Sequence, residues 1–305
     1  MFTAALMAGA MMLSASGQAP VSLGQALDDP ATVIDDVEVT AHPLRSQVTS
    51  FLDEISLPEV SLKVARWQDQ VCVGVVNIRG QSAQLIADRV SQVAVNLGLN
   101  AGEPGCRPNI MIFGVPDGAA FAAGMVELRP RVFNPGGQGM VRTQRSLERF
   151  KTTDAAIRWW HVAEPVDGRS GRRASRLPGE DAPQVSGRAS RLTTEIRNDL
   201  AFAVIILDLS KLEGLNLRQI SDFTAMVAFS QIDLDADFAG YDSILSLMEN
   251  STVAGLTEWD QAYLQALYTA RLSQLHKGQQ QGEIARLMAQ RRREQSEAEA
   301  ASAPD

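Results

Sequence analysis

Histidine is scarce in this 305-residue chain, with only His42, His161 and His276, none at ligand spacing from another. A zinc ion held by paired imidazoles therefore has no local sequence support. Positive charge is also in deficit, 28 Lys and Arg against 36 Asp and Glu, for a formal net charge of −8. Phosphate backbones are bound by clustered cations, so no nucleic-acid partner is expected. The one basic stretch, Arg169 to Arg191, is interrupted by Gly, Ser and Pro and holds no aromatic residue, which reads as a solvated loop. Cysteine is limited to Cys72 and Cys106. Neither has a second ligand close in sequence, which argues against a cysteine zinc site.

What is present is an ordinary globular composition, 45% hydrophobic and 21% charged, long enough for one or two cores. Thr3 to Ser16 is apolar and uncharged, too short to span a bilayer, and leads to small residues ending in Gly17-Gln18-Ala19. This reads as an export signal over 1–19, cut after Ala19, although no Lys or Arg precedes the apolar run; a buried helix is the competing reading. No Cys lies near the cut, so a lipid anchor is unsupported. No membrane span is expected in the mature chain, and the localisation implied is periplasmic or secreted.

Cys72 lies in V-C-V-G-V-V-N-I, a β-branched run that reads as a buried strand. Gln81 to Leu97 carries an apolar stripe at Leu85, Ile86, Val90, Val93 and Leu97, with Gly98 placed as a helix stop. A second strand follows over Asn109–Val115. Strand, helix, strand makes a βαβ unit whose strands are neighbours. A Cys72–Cys106 disulfide is then geometrically reasonable; two buried free thiols in a reducing compartment is the alternative.

Beyond this unit the pattern stays mixed. Helices are expected over Asp117–Leu128 and Gln144–Lys151, with a loop at Asn134–Gly139 between them. Strands are expected at Ala156–Val162 and Phe202–Leu207. Residues 167–192 read as a mobile loop, with R-A-S-R-L at Arg173 and again at Arg188, a spacing too short for a structural repeat. Leu215 to Gln231 reads as a helix with Asn216 as N-cap, apolar nearly all round from Phe223 to Phe229 and so buried on most sides. Thr257 is a natural N-cap with Asp260 three residues on, and Leu264, Leu267 and Tyr268 make an apolar helical face.

Two motifs carry a family resemblance. Ser243-Ile244-Leu245 is similar to the Met-turn of metzincin metallopeptidases, with Leu245 where Met would sit. Leu256-Thr257-Glu258-Trp259-Asp260, closing on Leu267-Tyr268, resembles their final helix. The match covers about Phe202 to Tyr268, with a weaker extension back to Val71, and the chain also resembles a proteobacterial family of exported, lipoprotein-like proteins that share this closing helix and a zincin-like layout. The resemblance implies a central helix bearing H-E-x-x-H. The corresponding positions here are Asp222, Phe223 and Met226: a carboxylate and a thioether replace the imidazoles, and Phe replaces the general base. A thioether is a poor zinc ligand. No catalytic residue, metal or cofactor is therefore expected.

Two weaker patterns complete the reading. Asp233, Asp235 and Asp237 begin like a calcium loop, but Phe238 stands where Gly is needed and Ile244 where a bidentate Glu is needed. Asp36–Ala41 resembles a TonB box, which would add as a strand to a partner's sheet edge; a linker strand ahead of a helix over Ser46–Ile55 is the plainer account. The expected protein is thus α+β and zincin-like, a mixed sheet with a central buried helix and a C-terminal helix. A linker and short helix occupy 20–61, a single domain 62–280 and a flexible charged tail 281–305. The implied function is non-catalytic peptide or protein binding in the cell envelope. A hydrolase using scattered residues such as Asp222, Asp242 and His161, or a structural or assembly factor, is the alternative.

Overall fold

The computed structural model describes residues 37–56, 64–133, 143–174, 196–271 and 276–302. The expected signal segment, the Asn134–Gly139 loop and most of the 167–192 loop, including the second R-A-S-R-L, lie outside them.

β-Branched runs form a four-stranded mixed sheet from β1 (Val73–Val76), β2 (Ile110–Val115), β3 (Ile157–Asp167) and β4 (Ile196–Asp208), in the order β1-β2-β4-β3. β1, β2 and β4 run parallel, with Val73 opposite Ile110 and Ile110 opposite Ala203. β3 lies antiparallel on the edge, from Ile157 opposite Leu207 to Asp167 opposite Ile196, with a register shift between Val162 and Ala163. Parallel β1 and β2 need a crossover, and α2 (Gly80–Asn96) supplies it. Its stripe of Ile86, Val90, Val93 and Ala94 is buried, and Gly98 at φ 80° ends it in a conformation only glycine adopts cheaply. The βαβ expectation holds.

Alternation along β4 assigns the two faces of the sheet. Ala203, Ile205 and Leu207 join the main core with α1 (Val37–Ile55), α2 and α5 (Leu217–Phe229). Val204 and Ile206 join a smaller core with Phe133, Phe150 and Trp160, beneath α3 (Gly118–Leu128) and α4 (Gln144–Thr152). Each fully buried Ile or Leu here contributes about 1.5–3 kcal/mol. Asp117 and Thr143 cap α3 and α4 through the N–H groups of Ala120 and Ser146. After α5 come a 3-10 turn at Ile244–Met248, α6 (Glu258–Thr269) and α7 (Lys277–Ser302).

Two expectations are corrected. Val37–Ala41 is helical, the opening of α1, and not a strand, so the TonB-like contact through Asp36–Ala41 lacks the extended backbone it requires. Val48, Phe51, Leu52 and Ile55 anchor this helix in the main core, and once anchored a helix extends cooperatively. The first half of the tail expected from residue 281, as far as Arg292, is likewise part of the fold. Ile284, Ala285, Met288 and Ala289 are buried, and Arg292 pairs with Glu258 of α6. That stripe has the helical spacing; the many charges around it hid it.

Cys72 and Cys106 form a disulfide with Cα atoms 6.1 Å apart, tying the start of β1 to the turn before β2. No helix among the described residues is long and apolar enough to cross a membrane. Closing a loop with this 34-residue separation stabilises the fold by about 3–4 kcal/mol in the chain-entropy treatment. Urea denaturation with and without reductant is expected to show a loss of that size, and equal midpoints would contradict it.

Candidate functional site

The region to test is the surroundings of α5, where the resemblance would require its chemistry. The local sequence makes this helix self-sufficient at its start. Asn216 accepts the N–H of Gln219 at 3.0 Å, and the Gln219 side chain returns to the Asn216 N–H at 2.9 Å. Gln219 also donates to the carbonyls of Ser251 and Val253, fixing the helix start to the loop before α6. Every residue from Ser221 to Phe229 is buried. Ser221 and Thr224 hide their hydroxyls by bonding back to the carbonyls of Leu217 and Ile220.

Asp222 cannot hide in that way, because a buried carboxylate needs cations and donors. It is fully buried and ion-paired with Arg89 of α2. It also accepts the N–H of Leu256 at 2.9 Å, while Arg218 stands 3.8 Å away. Gly255 makes the approach possible, since a Cβ there would sit 2.3 Å from the Asp222 carboxylate. One side chain thus joins α2, α5 and the turn entering α6. Phe223 lies against Trp159 of β3, with ring centroids 6.0 Å apart, and Met226 is wholly inside the main core. Asp222, Phe223 and Met226 are therefore taken up by packing and by a structural ion pair.

The far end of α5 is closed from other elements. Trp67 donates its indole N–H to the Ala228 carbonyl at 2.9 Å, and the Tyr268 hydroxyl donates to the Phe229 carbonyl at 3.1 Å. These meet the orphan carbonyls of a helix end. Burial raises the Tyr268 phenol well above its usual range, which keeps it a donor. Arg66, stacked over the Tyr268 ring, donates to the Ala270 carbonyl at 3.1 Å and so ties off α6.

The Ser243-Ile244-Leu245 turn is bound to α6 through Asp260. This carboxylate accepts the Ser243 hydroxyl, the Ile244 N–H at 2.8 Å and the Thr257 N–H at 2.9 Å. The capping box read from Thr257 and Asp260 is present. Burial nevertheless dominates and pushes the Asp260 pKa up to about 6, against the opposing hydrogen bonds.

The scattered residues do not assemble as a catalytic group. Asp222 is spent on Arg89 and Leu256, His161 is buried within β3, and Asp242 is exposed, its carbonyl accepting the Thr257 hydroxyl. In the acidic stretch, Asp235 pairs with Arg149, while Asp233 and Asp237 accept the N–H groups of Asp235 and Ala239. Among the described residues no three His, Cys, Asp or Glu side chains converge as metal ligands. Arg89, Gly255 and the capping role of Tyr268 were missed in the sequence. The available signal was a lone Asp in an otherwise apolar helix, which demands a partner; nothing local pointed to a residue 133 positions away. No protein-family model, curated protein or solved structure matches the chain.

Two outcomes are expected. Gly255→Ala should destabilise the fold by about 1–3 kcal/mol through its collision with Asp222. Gly278→Ala in α7, where a Cβ meets nothing within 4 Å, should be neutral or stabilising. Equal denaturation midpoints for the two variants would contradict this. For Asp260, a folded pKa of about 6 against an ordinary 3.8 means that the folded chain holds the proton more tightly. The group's contribution, about 3 kcal/mol, is full below the ordinary carboxylate range and is lost as pH rises through 6. Relative to Asp260→Asn, the native chain should therefore lose stability between pH 4 and pH 7, and a gain over that range would be the contrary result.

Proposed function

We propose that this chain is a non-catalytic, zincin-like protein of the cell envelope that binds a peptide or protein partner. The observation carrying the non-catalytic part is Asp222, which stands where the first zinc ligand is implied and is consumed by Arg89 and the Leu256 N–H. The order of elements supports the zincin-like part. Parallel β1, β2 and β4 with antiparallel β3 at the edge lead into a buried helix, then a short turn, then a capped closing helix. The disulfide between Cys72 and Cys106 supports an oxidising compartment such as the periplasm.

A partner held as an added strand needs an accessible sheet edge. Ile157 to His161 of β3 are all buried, so that stretch offers no such edge. β1 is half-buried throughout and forms the opposite edge. Its approach is already marked out. Val71 turns its N–H and C=O away from β2, to Asn100 and Gly102, whereas the Cys72 carbonyl accepts from Ile110. By alternation Val73 and Val75 present their backbone groups on the outer side. An extended peptide laid along them is the binding mode this edge supports. A hydrolase with a non-standard site has no such support, because Asp222, His161 and Asp242 are separately engaged or placed.

Full-length protein dialysed against zinc and then analysed for metal is expected to retain far less than one zinc per chain and to cleave no unstructured peptide substrate. Stoichiometric zinc accompanied by hydrolysis would overturn the reading.

A further inference from the structure

On the sheet face opposite α5, the two short helices α3 and α4 leave part of β2 and β4 uncovered among the described residues. A cavity of about 700 Å³ lies there, walled by Phe113, Phe121, Met125, Phe133 and Phe202 among other apolar side chains. The volume is within the range of small-molecule sites, about 300–1,000 Å³. Among the described residues its wall has one charged member, Arg129, which is exposed just past the end of α3. Leu128 beside it is 78% exposed, the most exposed of the large apolar side chains among the described residues. A site whose side chains provide no hydrogen-bonding group except one guanidinium selects a ligand with a long apolar body and one anionic end. Flexible Met111 and Met125 let the walls follow a chain of variable shape.

Gly124 adds a second observation. It sits inside α3, lines the cavity, and a Cβ built on it meets nothing within 4 Å. A helix-interior glycine is unfavourable relative to alanine. A large side chain placed there would extend into the open space of the cavity.

We propose that this cavity binds a single unbranched acyl chain with an anionic head, of the long-chain fatty-acid class. The alkyl tail runs between α3 and the sheet, and the carboxylate rests on Arg129. This site lies across the sheet from α5 and β1's outer edge is not part of it, so the inference stands or falls independently of the peptide-binding reading.

Calorimetric titration of the full-length protein with octanoate, decanoate and dodecanoate, each below its micellar concentration, tests the inference. Saturable binding of one chain per protein is expected, tightening about two- to fourfold for each added methylene. Gly124→Leu should lower dodecanoate affinity at least tenfold without lowering the melting temperature. Arg129→Gln should weaken dodecanoate but leave dodecanol unchanged. Absence of saturable binding, affinity independent of chain length, or capture of anionic vesicles without monomeric dodecanoate would each overturn the proposal. The chain-length series on the native protein stands even if Gly124→Leu folds poorly.

Discussion

A carboxylate with no access to water organises the centre of this protein. Asp222 projects from a helix packed on nearly every side, and an ionised group in that position is tolerable only if opposite charge and donors reach it. Arg89 arrives from α2 and the Leu256 N–H from the turn ahead of α6. Gly255 is small enough to let that turn close in. Three segments far apart in sequence are thereby fixed at one point, and α6 begins where that point places it.

The far end of the same helix obeys the same accounting of polar groups. Its last carbonyls are buried and need donors, which Trp67 and Tyr268 provide. α6 is consequently tied to α5 from both sides, through Leu256 in the turn ahead of it and through Tyr268 in its last turn. Asp260 then gathers the Ser243–Leu245 turn onto α6. The short motifs that suggested a peptidase ancestry are, in this chain, the parts that hold the interior together.

Much of this was legible in the sequence, for identifiable reasons. β-Branched runs and an intervening amphipathic stripe gave β1, α2 and β2, and with them the pairing of Cys72 with Cys106. The caps at Asn216 and Thr257 were visible because capping is a local interaction. Helix termini were less legible: Val37–Ala41 has strand-forming residues but is carried into α1 by the anchored stripe downstream. The packing of α7 was masked by its charges. Arg89, Gly255 and the Tyr268 cap act across long separations, and a single sequence contains no local mark of such pairing. The expectation of an emptied cleft at Asp222, Phe223 and Met226 gave no sign that all three side chains are buried, because burial of that kind is set by partners remote in sequence.

A double-mutant cycle on Arg89→Ala and Asp222→Ala, read by chemical denaturation, most directly tests whether this buried pair is structural. The account predicts a coupling energy of about 2 kcal/mol or more, with Asp222→Ala alone among the most damaging single changes in the chain. Additive effects, with coupling below about 0.5 kcal/mol, would mean that the two residues do not depend on each other and that α5 is held by apolar packing alone.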